Sequence, residues 1–507
     1  MLSIARSRLA LAFQFLFIVI NAFALLLGVV YNHKTPEMYA NNAHGKTGWI
    51  ITWIASAWVF MALVQVYAGR ASSPESTDDE TQPMTTANMA RYQRVQDCLP
   101  DPSRFSNDSG QGTERNSASL FGHSRSPSVE EDEHLFSGPT RRYTSDDDEA
   151  FDETEKPKFL RNTAVDNFFS RNVARFAVGR PLKWLRFFYV VIERTILVQG
   201  FVAFATGTVV YGGIAHGGAV FNVLAHYVKG AIFFGYGLLT LGRWMGAFAD
   251  FGWAWNMKPC KDVVGRRKAG VPSAEFTESF VIFLYGCTNV FLEHLAAWGD
   301  AWTAQDLEHV SISVMFFGGG LLGMIVESRK MRELLNSSVL SSQPVGQQQD
   351  EAWKQPRQYN FSMNPMPALI ILLLGKMMSS HHQASMLSTM IHTQWGSMFM
   401  GFALARGLTY ITLFISPPSS FLPSRPPTEV ITSFCLIAGG ITFIVSNKDT
   451  VAALESYNLD AMFTFTVTMG LTALLMAWTT VLIAIKGWAV RKESTTRYAK
   501  HTAGALA

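Results

Sequence analysis

Long apolar stretches alternate with short polar turns along most of the chain. Ten of these stretches are bounded by charged residues or by Gly/Pro clusters, and they lie near 9–30, 48–68, 192–214, 219–242, 275–296, 306–328, 365–382, 392–415, 428–446 and 460–485. A helix of about 20 apolar residues crosses about 30 Å of hydrocarbon. Short turns between such helices make antiparallel hairpins. The pattern therefore predicts an all-α, polytopic membrane helix bundle of about ten transmembrane helices.

One long polar stretch, residues 71–180, interrupts this pattern. It is rich in Ser, Thr, Asp, Glu and Asn and cannot bury enough apolar surface to offset its chain entropy. We therefore expect a long disordered cytosolic insert, and a shorter linker of the same character at 329–363. Ser126, Ser128 and Ser145 stand beside acidic residues, which is typical of phosphorylation sites. A kinase-regulated cytosolic partner of the insert is one hypothesis, and a passive spacer is the other.

These alternations divide the chain into six regions. They are a two-helix membrane region at 1–70, the insert at 71–180, a four-helix membrane domain at 181–328, the linker at 329–363, a second four-helix membrane domain at 364–490, and a cytosolic tail at 491–507.

Composition and charge support a membrane protein and give its orientation. Hydrophobic residues make up 48% of the 507 residues and charged residues only 16%, against about 25% charged in soluble proteins. This excludes a soluble enzyme and a nucleic-acid-binding domain, and leaves the lipid bilayer as the predicted surrounding. Lys and Arg cluster in alternate loops, with Lys34, Lys46 and Lys448 as exceptions. Because basic loops stay in the cytosol, we expect both termini to be cytosolic, in a plasma membrane or an endomembrane.

The histidines suggest a candidate chemistry. Eight of the 12 histidines fall on the predicted outer side or in the outer leaflet. Imidazole is the commonest protein ligand for metals, and mixed ligation by His and carboxylates suits transition metals such as Fe, Cu or Zn. The predicted metal-binding residues are Glu293, His294, Asp306, Glu308, His309, His381, His382 and His392.

The sequence leaves several functions open. The outer layer of His and carboxylate groups could bind a metal for redox or metal-linked chemistry, or it could pass ions or protons to carboxylates at the inner helix ends. A non-catalytic scaffold regulated through its phosphorylatable linker is a third hypothesis. The histidines could also be ordinary interface residues. For the charges at the inner helix ends, mutual salt bridges are the simplest interpretation. These charges are Glu193, Arg194, Arg243, Asp250, Glu275, Glu278, Glu327 and Arg406.

Several long blocks resemble a known family. The segments GGAVFNVLAHYVKGAIFFGYGLLTLGRWMGAFADFGWAWN, EHLAAWGDAWTAQDLEHVSI, SSHHQASMLSTMIHTQWG and SPPSSFLPSRPPTE closely resemble the fungal Ytp-like (yeast putative transmembrane protein) family over about 187–490. Residues 1–70 resemble the domain of unknown function that usually precedes it. The resemblance implies a fungal membrane protein without naming a reaction. It also implies a signal sequence and one more span before a Ser-Arg-rich turn. The first residues of this chain, MLSIARSR, resemble that turn. We therefore expect that the first span of the family is missing.

A more distant resemblance concerns haem. The segment NNAHGKTGW is similar to the motif of a histidine before a helix in ascorbate-type, two-haem cytochromes b. This resemblance implies that His44 is an axial ligand of a b-type haem. A later helix, where that family commonly has histidine, carries Glu193 and Arg194 instead, so the site is expected to be degenerate or absent.

Overall fold

The computed structural model describes the membrane helices and most of their short loops. The described residues are 1–68 (without Arg6, Arg8, 36–38, 40 and 41), 163, 168–169, 180–290, 299, 301–341, 361–380 and 383–505. The predicted insert at 71–180 therefore lies outside the described residues, apart from Thr163, Phe168, Phe169 and Arg180.

Twelve helices organise the described part of the chain, and no strand occurs in it. They are α1 Ala10–Lys34, α2 Ala43–Ala68, α3 Arg180–Gly212, α4 Ala219–Trp244, α5 Ala274–Asn289, α6 Ala304–Glu327, α7 Arg329–Leu340, α8 Met366–Ser379, α9 Met386–Ile415, α10 Thr428–Val445, α11 Lys448–Ser456 and α12 Ala461–Ala505, besides single-turn helices between α4 and α5. Eight of them are long and apolar enough to cross a membrane: α1–α4, α6, α9, α10 and α12. The apolar α8 is shorter, and the 16 residues of α5 complete the ten predicted spans. The all-α membrane bundle is thus confirmed.

Polar caps explain where several helices begin. Ser273 accepts a hydrogen bond from the backbone N–H of Phe276 at the start of α5. Thr303 and Asp306 form a reciprocal capping box at the start of α6. Such caps satisfy backbone N–H groups that the helix itself leaves without partners.

Two helix bounds differ from the sequence prediction because a helix does not have to end where its apolar stretch ends. Helix α12 continues through 45 residues, which makes it about 67 Å long, or about twice the thickness of the hydrocarbon. Part of the predicted linker at 329–363 is helical, since α7 follows α6 directly. The rest of that linker, 342–360, lies outside the described residues.

Two groups of helices carry separate cores. We call α1–α3 the amino-terminal bundle. Its core lies at one end, around Leu11, Leu63, Tyr67 and Tyr189. The main core joins α4, α5, α6, α8, α9 and α10 around Trp395, Phe399 and other apolar side chains.

Glycines let the helices of the main core approach closely. A Cβ atom at Gly230 of α4 would lie 2.6 Å from the carbonyl oxygen of Gly440 in α10. One at Gly375 of α8 would lie 2.6 Å from the carbonyl oxygen of Gly396 in α9. Gly286 and Gly320 have the same role between α5 and α6. Membrane helices without a side chain at such positions gain extensive backbone packing.

The helices alternate in direction, so the loops fall on two sides. We call the side with the basic clusters the inner side and the opposite side the outer side. Loops assigned to one side do touch: the backbone N–H of Met257 donates to the carbonyl of Ser420 on the inner side, and that of Ala215 donates to Asp449 on the outer side. Which side faces the cytosol stays a prediction.

Candidate functional site

A cluster of charged side chains is buried at the inner end of the main core. Its members are Arg243 near the end of α4, Glu275 and Glu278 in the first turns of α5, Arg406 in α9 and Glu429 near the start of α10. All five are buried, and Glu429 has no exposed surface. Four helices therefore contribute charge to one water-poor position, where each charge needs a partner.

Arg243 is held by three acceptors. Its Nη2 lies 3.0 Å from Glu275 Oε1, and its Nη1 lies 2.7 Å from Glu278 Oε1. Its Nε donates to the carbonyl oxygen of Trp253 at 2.7 Å. The guanidinium carbon also lies 4.3 Å from the centre of the Trp255 ring, within range of a cation–π contact. These contacts fix the inner end of α4 to α5 and to the loop between them.

Arg406 joins the same cluster from α9. Its Nε lies 2.8 Å from Glu429 Oε1, and its Nη1 lies 3.4 Å from Glu278 Oε2. The same Nη1 donates to the Tyr236 hydroxyl at 3.4 Å. Glu278 thus lies between two arginines, one contacting each carboxylate oxygen. The predicted salt bridges at the inner helix ends are confirmed for Arg243, Glu275, Glu278 and Arg406.

The cluster holds more acid than base. Two guanidinium groups face three carboxylates, so its formal charge is −1 when every group is ionised. A buried excess charge is costly in a low dielectric. The arrangement therefore favours the binding of one more positive charge, such as a proton.

A cavity of about 290 Å³ begins at this cluster and runs along α5. Its lining on α5 extends from Ala274 to Asn289, a rise of about 22 Å along the helix. Most lining side chains are apolar, but Glu278, Lys229, Asn289 and His309 face it as well. Because a liquid water occupies about 30 Å³, the volume has room for about ten waters.

Two histidines meet beside the outer part of this cavity. The rings of His226 in α4 and His392 in α9 lie 6.2 Å apart between centroids, edge to face. Nδ1 of His226 is 2.7 Å from the carbonyl of Asn222, and Nδ1 of His392 is 2.8 Å from the carbonyl of Ser388. A carbonyl only accepts hydrogen bonds, so each Nδ1 carries the proton. In the neutral rings the lone pair then lies on Nε2.

Comparison with known proteins places this architecture in a family. The pattern described as "Protein YTP1-like, C-terminal" matches residues 199–487, which is more than half of the chain. The chain belongs to the YTP1-like family. A domain of unknown function, DUF2427, matches residues 1–68. Both predicted resemblances to this family are therefore confirmed.

The curated relatives are fungal. An uncharacterised membrane protein of Schizosaccharomyces pombe is 33% identical over 504 residues, covering 96% of this chain and 90% of the relative. An uncharacterised membrane protein of Saccharomyces cerevisiae is 40% identical over 310 residues, covering 59% of this chain and 47% of the relative. The S. cerevisiae protein YTP1 is 23% identical over 320 residues, covering 59% of this chain and 61% of YTP1. No solved structure matches the chain.

The structure describes only part of the predicted metal layer. Glu293, His294, His381 and His382 lie outside the described residues. Asp306 accepts hydrogen bonds from the backbone N–H and the hydroxyl of Thr303, so it serves as a helix cap. Among the residues that the structure does describe, no group of three or more His, Cys, Asp or Glu side chains could hold a metal ion. The full set of eight residues stays a prediction.

His309 and His392 occupy different positions from the ones the sequence suggested. His309 lines the cavity. His392 is buried in the second turn of α9, because Ser385 caps that helix before the apolar stretch begins. Glu308 lies next to His309 in α6 and does not line the cavity.

His44 lies in the first turn of α2. Its Nδ1 is 3.0 Å from the Thr206 hydroxyl, whose own proton goes to the carbonyl of Val202. Nδ1 is therefore the donor, and Nε2 has the free lone pair that an axial haem ligand needs. Neither the family patterns nor these relatives show the cytochrome b resemblance, so the haem role of His44 stays a prediction.

The sequence did not single out Glu429, Tyr236 or the His226–His392 pair. A glutamate two positions after a proline pair is typical of a helix start, and nothing local shows that Glu429 is buried. A weak signal did exist, because a carboxylate at the start of an apolar span has to be paired.

Proposed function

We propose that this protein is a proton-linked transporter whose path is the cavity along α5. The observation that carries the proposal is one cavity that joins the buried ion-pair cluster to His309 near the outer side. Ionisable side chains inside a membrane protein typically mark ion pathways and proton relays.

Proton transfer along the proposed path has three steps. His309 takes up a proton near the outer side, since imidazole is a common proton-shuttle group. Water in the cavity carries the proton past Lys229 in the middle of α4. Glu278 then receives it at the inner end, where the excess carboxylate favours one more positive charge.

Protonation of Glu278 also couples the proton to the shape of the bundle. Its two oxygens contact Arg243 of α4 and Arg406 of α9. A neutral carboxylic acid loses most of its attraction to both arginines. The inner ends of α4, α5 and α9 then separate more easily, and the cavity opens to the inner side beside Trp253.

Proton flux into liposomes tests this proposal. The full chain is reconstituted in vesicles that contain a pH-sensitive dye, and a potassium diffusion potential drives protons inward. We expect uptake by the wild type and a loss of uptake in Glu278→Gln. Glu308→Gln changes a carboxylate next to the path and is the matched control.

A second variant keeps the test independent of folding. His309→Gln changes the other end of the cavity without touching the ion pairs, and should also abolish uptake. If His309→Gln and Glu278→Gln both fold and transport protons as fast as the wild type, the proposal is wrong. Wild-type vesicles without any proton uptake would overturn it as well.

Metal binding is a second candidate function, and the His226–His392 pair favours it. The half-buried His226 and the buried His392 bring two imidazole rings to 6.2 Å between centroids, and imidazole is the commonest protein ligand for metals. Elemental analysis of the purified protein, beside the His309→Ala/His392→Ala variant, tests this candidate. Near-stoichiometric metal that falls in the variant supports it, and no metal in either protein rejects it.

A further inference from the structure

A second, larger cavity lies in the outer half of the amino-terminal bundle. We call it the outer cleft. Its volume is about 910 Å³, and it lies between α1, α2 and α3. Binding sites for small molecules typically have volumes of about 300–1,000 Å³. The proton path proposed above does not use this cleft.

The cleft is closed at its base and held together at its mouth. At the base, the Asn21 amide of α1 donates to the Thr52 hydroxyl of α2 at 3.2 Å. At the mouth, the Tyr39 hydroxyl contacts the carbonyls of Val209 and Ile214 at 3.1 and 2.6 Å. The Tyr31 and Tyr211 rings, 6.3 Å apart, connect α1 to α3. The volume between these contacts is therefore part of the folded bundle.

Two glycines of the cleft do not serve helix packing, unlike Gly207, where a Cβ atom would lie 3.2 Å from the His44 ring. Gly28 of α1 and Gly48 of α2 line the cleft, and a Cβ atom at either one would meet nothing within 4 Å. In the main core, by contrast, Gly230 and Gly375 bring backbones into contact. Helices α1 and α2 thus lack a side chain at these two positions, where a side chain would occupy part of the cleft.

Between the Asn21–Thr52 pair at its base and the polar side chains at its mouth, the wall of the cleft is largely apolar. Leu25 and Ile51 contribute to the apolar wall, whereas Asn32, Asn42 and Lys46 provide nitrogen donors nearer the mouth. From Asn21 to Tyr31 the lining on α1 rises about 15 Å, which is half the thickness of the hydrocarbon. A molecule bound in the cleft must therefore be apolar along most of its length and polar at the mouth.

The charge at the mouth is unusual for its side of the membrane. Outer loops are nearly free of Lys and Arg, and the exceptions are Lys34, Lys46 and Lys448. Lys46 lines the cleft, and Lys34 precedes the lining residue Thr35. No described lining residue is a carboxylate. Because residues 34–46 contain two lysines and one acid, Glu37, their formal charge is +1, which is the sign that an anionic head group would need.

From these observations we propose that the outer cleft binds one amphipathic lipid with an anionic head group. The acyl chain lies between α1, α2 and α3, and the head group lies at the mouth beside Lys46. Phosphate and carboxylate head groups share this chemistry.

Photo-crosslinking of the full chain in phosphatidylcholine nanodiscs tests the proposal. Three probes carry the same diazirine acyl chain, one as phosphatidic acid, one as a free fatty acid and one as phosphatidylcholine. We expect the peptides that line the cleft to be labelled several-fold more by an anionic probe than by the phosphatidylcholine probe. The stronger of the two anionic probes identifies the head group as phosphate or carboxylate.

Variants separate the cleft from the lipid around the protein. Gly28→Leu/Gly48→Leu should fill the cleft and reduce the anionic labelling several-fold. Gly200→Leu is the matched control, because Gly200 also faces open space but does not line the cleft. Lys34→Gln/Lys46→Gln should remove the preference for anionic heads while the cleft stays open.

Two results would overturn the proposal. One is equal labelling by anionic and zwitterionic probes in the wild type. The other is unchanged anionic labelling in a folded Gly28→Leu/Gly48→Leu variant. Where that variant does not fold, an unchanged head-group preference in the lysine variant overturns the proposal instead.

Discussion

The amino-terminal bundle and the main core use the same residue types for different purposes. Glycines in the main core bring helices into backbone contact, whereas Gly28 and Gly48 in the amino-terminal bundle border open volume. Charges in the main core are buried and paired across four helices, whereas Lys46 is an exposed residue at the mouth of a cleft. The main core is therefore built for tight, electrostatically fixed packing, and the amino-terminal bundle borders an open cleft.

The largest expected effect is the loss of an arginine from the main core. Arg406→Met should lower the free energy of unfolding by about 3–5 kcal/mol, because it leaves buried carboxylates without their partner. Thermal unfolding of the purified protein, followed by tryptophan fluorescence, measures this change. Lys268→Met is the control, since Lys268 pairs with Asp250 at 2.8 Å and is 41% exposed; loss of such a surface pair should cost less than about 1 kcal/mol. Equal effects of the two substitutions would contradict the picture of a buried cluster.

A comparison of two glycine substitutions tests the difference in packing directly. Gly286→Leu places a side chain against the backbone of Phe317 and should destabilise the protein by about 1–3 kcal/mol. Gly48→Leu meets open volume and should change stability by less than about 0.5 kcal/mol. Both variants are compared with the wild type in the same unfolding assay. A large cost at Gly48 would show that the cleft is not open in the protein.

Substitutions in the inner half of the amino-terminal bundle should lower its stability more than substitutions in its outer half. The Tyr189 hydroxyl lies 2.6 Å from the Ser3 hydroxyl and accepts from the Gln14 amide at 3.0 Å. Tyr189→Phe leaves the buried Gln14 amide without this partner and should cost about 1 kcal/mol. Amide hydrogen exchange in α1 and α3 measures the effect locally. Equally faster exchange in α4–α10 and in α1 and α3 would argue that the two regions unfold as one unit.

The smallest effect concerns the mouth of the cleft. Burial raises the pKa of the Tyr39 phenol above its ordinary value of 10.0, and the negative charge of Asp449 raises this pKa further. Because the folded state holds the neutral phenol, Tyr39 adds stability that is complete below pH 10 and decreases as the pH rises through the folded pKa.

Asp449→Asn should therefore bring the pKa of Tyr39 back toward the ordinary value. Ultraviolet difference titration shows the change when the same titration of the Tyr39→Phe variant is subtracted. An unchanged titration in Asp449→Asn would mean that Tyr39 and Asp449 are farther apart in solution than in the structure.

Much of the fold could be predicted because membrane insertion is a local property of the sequence. An apolar stretch such as 428–446 is read as a span without knowledge of its neighbours, and α10 occupies Thr428–Val445. The inner salt bridges could be anticipated as well, since a charge such as Arg406 inside a span requires a partner.

The candidate site was harder to predict, for reasons visible at particular residues. The sequence predicted His392 as a metal ligand at the start of a span. Ser385 starts the helix earlier, so His392 lies in the second turn and is buried in the core. Its partner His226 is 166 positions away in the sequence, so no local pattern could show that the two rings meet. Lys229 of α4 and His309 of α6 are 80 positions apart in the sequence, and only the tertiary structure brings them to one cavity.

The sequence by itself determined the class of the protein, its approximate number of spans and the alternation of its basic loops, because each depends on the transfer of a short segment between water and lipid. The tertiary structure decided which carboxylate each arginine contacts, which glycines pack and which border open volume, and which histidines meet. Those properties depend on the rotation of each helix about its axis and on which helices lie beside it. A glycine that borders a cleft and a glycine that packs against a backbone are therefore identical in the sequence.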